Sequence, residues 1–152
     1  MGAIAVMTRT KKEALRHRLL WCCACNADVN ARLTTGREIY PHRSDLARLP
    51  FWRCDACGNF VGCHHQTSNP TAPLGCIPTP QLKEARKHLH ALIDPLWQSG
   101  RISRVALYKA ISDAVGWKYH TAKTRTVEEA RIAYKAVLTI ASTLEKRDDH
   151  ES

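Results

Sequence analysis

Two cysteine pairs, Cys22/Cys25 and Cys54/Cys57, each with two residues between their members, carry the strongest chemical signal in the chain. A Cys-x-x-Cys turn lets both sulfurs face one point, and two such turns supply the four thiolates that a tetrahedral zinc ion takes. Gly58, directly after the second pair, suits a knuckle that aims backbone N–H groups at sulfur and needs a residue without a Cβ. Cys23 lies only one residue from Cys25, so Cys22 is assigned as the ligand and Cys23 as a spectator. A redox Cys-x-x-Cys belongs in a thioredoxin-like βαβ setting, which is not visible here. Unliganded core cysteines are the remaining alternative.

A second set has ligand chemistry without a two-knuckle pattern. Cys63, His64 and Cys76, together with His42, are candidates for a further metal; in the plainer reading Cys63 packs inward and His64 hydrogen-bonds across a hairpin. His90 and Asp94, four residues apart on an expected helix, suit a metal-ligand or acid–base pair, or an ordinary surface contact. His42, His64, His90 and Asp94 together define the hydrolase or nuclease alternative. That reading needs its own metal, because hydrolytic zinc keeps a position open for water and four cysteines close the shell. It also lacks a dense carboxylate group, since residues 40–94 offer only Asp45, Asp55, Glu84 and Asp94.

The chain has 152 residues and a formal charge of +9, enough to attract a polyanion, nucleic acid being the commonest in a cytoplasm. The excess is uneven. Arg9, Lys11, Lys12, Arg16 and Arg18 crowd one end, and residues 101–125 carry Arg101, Arg104, Lys109, Lys118, Lys123 and Arg125 against Asp113. Within the second group, "WKYHTAKTR" mixes basic residues with Trp117 and Tyr119, a composition suited to phosphate contact and base stacking. Arg101, Arg104, Trp117, Lys118, Tyr119, Lys123 and Arg125 are therefore the candidate surface for nucleic acid or an acidic protein; alternatively Trp117 simply packs behind Gly116. No apolar run approaches the ~18 residues of a membrane span, and "MGAIAVMTRTKK" does not read as a secretory signal. Seven cysteines, an odd number, fit metal or thiol chemistry in a reducing, cytoplasmic setting.

Period and punctuation set the elements that must hold these residues. Residues 9–20 suit a short basic helix with Leu15, Leu19 and Leu20 on one side. Val29, Ala31 and Leu33 alternate before Thr34, Thr35 and Gly36, and Ile39 continues the pattern, which predicts a hairpin turning at Thr34–Gly36. Residues 67–80 form a Pro-, Gly-, Ser- and Thr-rich connection. Beyond it the period becomes helical. Thr79 and Pro80 open a helix with Leu82, Ala85, Leu89, Leu92 and Ile93 on one face, and Pro95 is expected to stop or kink it at Asp94, freeing Trp97 to fill a gap between modules. Ser103 caps a second helix with Leu107, Ile111, Ala114 and Val115 inside and Gly116 at its close. Thr126 and Glu129 form a capping box for a third, from about Val127 to Lys146, striped by Ala130, Ala133, Val137, Ile140, Ala141 and Leu144. The expectation is an α+β chain: a basic segment at 1–20, a zinc-ribbon-like β module at 21–76, a helical module of about three helices at 79–146 packed on it, and a tail at 147–152.

Residues 40–64, "YPHRSDLARLPFWRCDACGNFVGCH", with "PLG" at 73–75 and "ARKHLHALIDPLWQSGRISRVALYKAI" at 85–111, resemble the zinc-finger-containing family of unknown function found mainly in phages and prophages. In that resemblance Cys22, Cys25, Cys54 and Cys57 fall on the family's zinc cysteines, and His42, Arg43, Cys63, His64, Asp94, Pro95, Leu96 and Trp97 also match. It implies a bound Zn(2+) and a host-cell cytoplasmic setting. The whole reads as a zinc-stabilised accessory protein that binds nucleic acid or an acidic host protein without catalysis. The alternatives are the metal-dependent hydrolase and an inhibitor of a host defence complex.

Overall fold

The computed structural model describes residues 16–151. The chain divides into two compact units, Met1–Thr79 and Pro80–Ser152.

In the first unit, β1 (His17–Cys22), β2 (Ala27–Thr35), β3 (Pro50–Arg53) and β4 (Phe60–Gly62) form one antiparallel sheet in the order β1-β2-β3-β4. Most of the expected basic helix over 9–20 lies outside the described residues. From His17 on it is strand: residues 17–20 belong to β1 and pair with β2. The hairpin also turns elsewhere than expected. The first knuckle is itself the turn, with Cys22 opposite Ala27 and Asn26 in the left-handed region at φ 53°. Asparagine accepts that conformation more readily than most residues, which ends the knuckle and starts β2.

At the other end of β2 the chain enters a short helix, α1 (Gly36–Ile39), in place of a returning strand. Gly36 donates its N–H to the Leu49 carbonyl at 2.9 Å, and a Cβ there would lie 1.8 Å from the Leu46 carbonyl oxygen. The glycine is thus required by the close approach of the 44–49 segment, which brings the chain back as β3 beside β2. In register, Leu33 faces Trp52, which faces Val61. Alternation sends these inward with Cys22, Ala31, Cys54, Cys63 and Ile77 to make the core. Phe51 and Phe60 point the other way and meet Tyr40 edge-to-face, with centroids 5.4–5.8 Å apart. Ile77 closes the unit beside β1: its N–H donates to the Trp21 carbonyl at 2.8 Å, and its carbonyl accepts from the Cys23 N–H at 2.9 Å.

The second unit contains α2 (Pro80–Gln98), α3 (Arg104–Val115) and α4 (Val127–Glu151), with a 3-10 turn at Thr121–Lys123. Pro95 does not stop α2, which runs on to Gln98. Pro95 has no N–H to give to the preceding turn, and only Leu96, Trp97 and Gln98 follow it in the helix. Trp97 stays on the helix: its indole N–H donates to Asp94 Oδ1 at 3.1 Å, and the Arg104 guanidinium lies 5.6 Å over its ring. Ser103 caps α3 by accepting from the Ala106 N–H at 3.1 Å, and Gly116 closes it in the left-handed region. Leu107 and Ile111 are buried, whereas Ala114 is exposed. Thr126 Oγ1 accepts from the Glu129 N–H at 3.0 Å, while Glu129 reaches back to the N–H of Arg125, one residue before the cap. Helix α4 continues past Lys146. Leu82, Leu89, Ile93, Leu107, Ile111, Ala130, Ala133 and Val137 form the core, which also takes in Arg86, donating from Nη2 to the Thr124 carbonyl at 2.5 Å. No described helix is long and apolar enough to cross a membrane.

Candidate metal centre

Cys22 is the last residue of β1, Cys25 lies in the turn to β2, Cys54 follows β3, and Cys57 ends the turn before Gly58. Antiparallel pairing of β2 with both neighbours sets the two knuckles side by side at one end of the sheet. Their four sulfurs all lie within 4.8 Å of one another, with Cys22 and Cys57 3.5 Å apart and Cys25 and Cys54 3.7 Å apart. A tetrahedral ion with bonds of about 2.3 Å to sulfur has an edge of about 3.8 Å, so the thiols already stand near ligand geometry. Both short contacts cross from one knuckle to the other. Closing the shell therefore ties β1 to the loop after β3.

The two knuckles repeat one backbone solution. Each places a left-handed residue directly after its second cysteine, Asn26 at φ 53° and Gly58 at φ 82°. Gly58 donates its N–H to the Cys54 carbonyl at 2.7 Å, and Cys54 donates to the Asn59 carbonyl at 2.8 Å. The free N–H groups turn toward sulfur: Cys25 toward Cys22, and Cys57 and Ala56 toward Cys54. Burial pushes the Cys22 thiol up. The neighbouring sulfurs of Cys54 and then Cys22 push Cys25 up to about 12. Burial is the largest influence on Cys54 and acts in the same sense, but the N–H groups of Cys57 and Ala56 together with the Cys57 and Cys25 sulfurs outweigh it and the thiol is lowered. Four thiolates this close repel one another, and a divalent cation is the simplest group that relieves the repulsion. Cys22 and Cys54 are buried, Cys25 is half-buried and Cys57 is exposed, so the site sits at the rim of the core with one side toward water.

An ion-pair network behind the second knuckle was not singled out from the sequence. Asp55, inside Cys54-Asp55-Ala56-Cys57, accepts from Arg32 Nε at 2.9 Å and Nη2 at 3.0 Å. The same guanidinium reaches Glu38 at 2.9 Å and 3.2 Å, and Glu38 also accepts from Arg53 at 2.9 Å and from the Thr34 hydroxyl. Arg32 thus links the knuckle to α1 through a fork that holds two carboxylates. The available signal was Arg32 and Thr34 on the outward face of β2, two positions apart, with Glu38 following. The Arg32 hydrogen bonds, supported by Thr34, hold the Glu38 carboxyl at about 2, below its ordinary 4.5. A carboxyl lowered on folding stabilises the protein above its unfolded pKa and loses that contribution as pH falls through the folded one. Glu38 is more than a third exposed and Arg32 nearly so, and solvent screening limits the pair to less than about 1 kcal/mol. The stability difference between wild type and Glu38→Gln should be constant from pH 7 to about 5 and shrink toward zero between about pH 4.5 and 2. Denaturant unfolding of both proteins across that range measures it, and a difference that does not change with pH would rule the network out as its source.

The other candidate residues are dispersed. Cys63 is buried in the core, and burial pushes its thiol up to about 11, whereas His64, next along the chain, faces solvent with its backbone N–H on the Ala72 carbonyl. His42 is exposed, and Cys76 lies beside Cys23, with their sulfurs 3.8 Å apart. Among the described residues the Cys22, Cys25, Cys54 and Cys57 group is the only one of three or more ligand atoms placed to hold a metal. The structure therefore does not bring Cys63, His64, Cys76 and His42 together: strand alternation drives Cys63 inward and its neighbour outward. His90 Nδ1 stands 3.8 Å from Asp94 Oδ2 as an exposed contact on α2. In the basic set, Arg101 pairs with Asp148 at 2.9 Å, and Arg104 lies over the rings of Trp97 and Tyr108. Trp117, Lys118, Lys123 and Arg125 are exposed. Tyr119 is buried, stacked on Tyr108 and hydrogen-bonded to Thr121 at 2.7 Å, so it presents no ring at the surface.

A family model described as a zinc-finger-containing domain matches residues 18–141. Searches of curated proteins and of solved structures returned no match.

Proposed function

Taking as premise that this chain belongs to the zinc-finger-containing domain family, we propose that Cys22, Cys25, Cys54 and Cys57 hold one structural zinc, and that the protein is a non-catalytic accessory protein whose basic surface binds nucleic acid. The observation that carries the first half is the four-sulfur group itself. Four thiolates complete a tetrahedral shell and leave no position for a reacting water, which favours a folding role over a hydrolytic one. The second half rests on the +9 charge and on the exposure of Lys118, Lys123, Arg125 and Trp117 around the start of α4. Cations there supply phosphate contact and Trp117 a stacking face. Arg101 and Arg104 add charge to the same unit, though Asp148 offsets the first. The phage resemblance suits a small protein that meets host nucleic acid or the assemblies acting on it.

Binding should be titrated with short DNA and RNA, single- and double-stranded, at several salt concentrations. Affinity is expected to fall steeply with salt and to depend little on sequence, because it comes from counterion release. Lys123→Ala with Arg125→Ala should reduce the slope of log affinity against log salt by about two units. An acidic protein partner gives a gentler salt response and a dominant loss from one anchor, with Trp117 the exposed aromatic placed to provide it. Absence of binding to every nucleic acid at low salt overturns the nucleic-acid reading.

A further inference from the structure

Three of the seven cysteines lie outside the metal group: Cys63, buried in the core, and the pair Cys23 and Cys76. Cys23 and Cys76 are both half-buried, their sulfurs 3.8 Å apart, and their backbones are held beside each other by the bonds between residues 21–23 and Ile77. That ladder fixes the two chain segments whichever state the thiols adopt. Forming a bond of about 2.05 Å needs the sulfurs to approach by roughly 1.8 Å, within reach of side-chain rotation.

We propose that Cys23 and Cys76 are an oxidative modification site, closing an intramolecular disulfide with hydrogen peroxide as oxidant while the four-cysteine group keeps its metal. One sulfur attacks peroxide; an S–O bond forms, the O–O bond breaks, and the first water leaves. The second sulfur then attacks this sulfenic acid; the S–S bond forms, the S–O bond breaks, and the second water leaves with the remaining thiol proton. Two thiols are oxidised by two electrons and one peroxide is reduced to two waters. The bond would join the residue after β1 to the segment at Ile77 and close a loop that holds β2, β3, β4 and the second knuckle. It would hold these segments together when the metal is lost, in addition to the backbone bonds already present.

The test treats the full-length, zinc-loaded protein with graded hydrogen peroxide, then counts thiols after denaturation, zinc released to a chelating dye, and disulfide-linked peptides by mass spectrometry. The expected result is loss of two of the seven thiols with zinc retained, and no loss at the same dose from Cys23→Ser or Cys76→Ser. Zinc content of each variant reports that it has folded, and peptide mapping of the wild type gives the pairing independently of both. Loss of thiols in step with zinc release, equally in wild type and variants, overturns the proposal, as does the absence of any intramolecular disulfide. A second zinc that disappears in Cys76→Ser also overturns it and makes the pair part of a metal site.

Discussion

Cys54→Ser should release zinc and abolish the ordered fold of residues 22–65. Cys54 is almost fully buried, is paired across the knuckles with Cys25, and accepts the N–H groups of Cys57 and Ala56. A serine hydroxyl is not ionised at neutral pH and is a poor ligand, so three thiolates would remain around a site built for four. The sheet cannot absorb that loss. Of the seven residues forming its core, Cys22, Cys54 and Cys63 are cysteines and Ala31 is small, which leaves Trp52, Val61 and Ile77 as the large apolar groups. Structural zinc contributes on the order of 10 kcal/mol in small modules of this kind, several times what so small a core supplies. Elemental analysis with circular dichroism or amide NMR measures both effects. Cys23→Ser should keep zinc and fold; if it strips the metal, the ligand assignment is wrong.

Trp52→Ala should be the most damaging substitution that leaves every sulfur in place, costing about 3–5 kcal/mol. The ring is buried at the centre of the sheet between Leu33 on β2 and Val61 on β4, and its indole N–H donates to the Thr71 carbonyl at 2.7 Å. Truncation removes the largest side chain of the core and also leaves the Thr71 carbonyl without that donor. Trp52→Phe separates the terms, because it keeps much of the volume and loses only the hydrogen bond, for about 1 kcal/mol plus any misfit. Denaturant unfolding in saturating zinc gives both values. A loss below about 1 kcal/mol for Trp52→Ala would mean that zinc alone holds the sheet.

The four ligands were legible because Cys-x-x-Cys is a local pattern: chelation from one turn needs fixed spacing, and spacing is what a sequence displays. The helices were legible for the same reason. Ser103, Gly116 and Thr126 act over three or four residues, and the stripe Leu82, Leu89 and Ile93 is a single-helix period. What was misplaced depended on contacts far apart in the chain. The expected helix at 9–20 gives way to β1 where residues 17–20 pair with β2, and cross-strand pairing outweighs a weak helical period. The turn expected at Thr34–Gly36 has suitable turn residues, but Gly36 is there because the Leu46 carbonyl passes so close. Arg32 was not singled out because its partners Glu38 and Asp55 lie 6 and 23 residues away. The basic neighbours of Tyr119 suggest a surface aromatic, yet its ring belongs to the stack on Tyr108. Nearness in sequence groups Cys76 with Cys63 and His64, while the ladder at Ile77 carries it to Cys23.

X-ray absorption at the zinc edge, on protein whose metal content is known, tests the central claim most directly. One zinc per chain surrounded by four sulfurs at about 2.3 Å is the predicted result. Nitrogen or oxygen in the first shell, or two zinc ions per chain, would contradict a closed four-cysteine site and return His42, His64 and Cys76 to consideration as ligands.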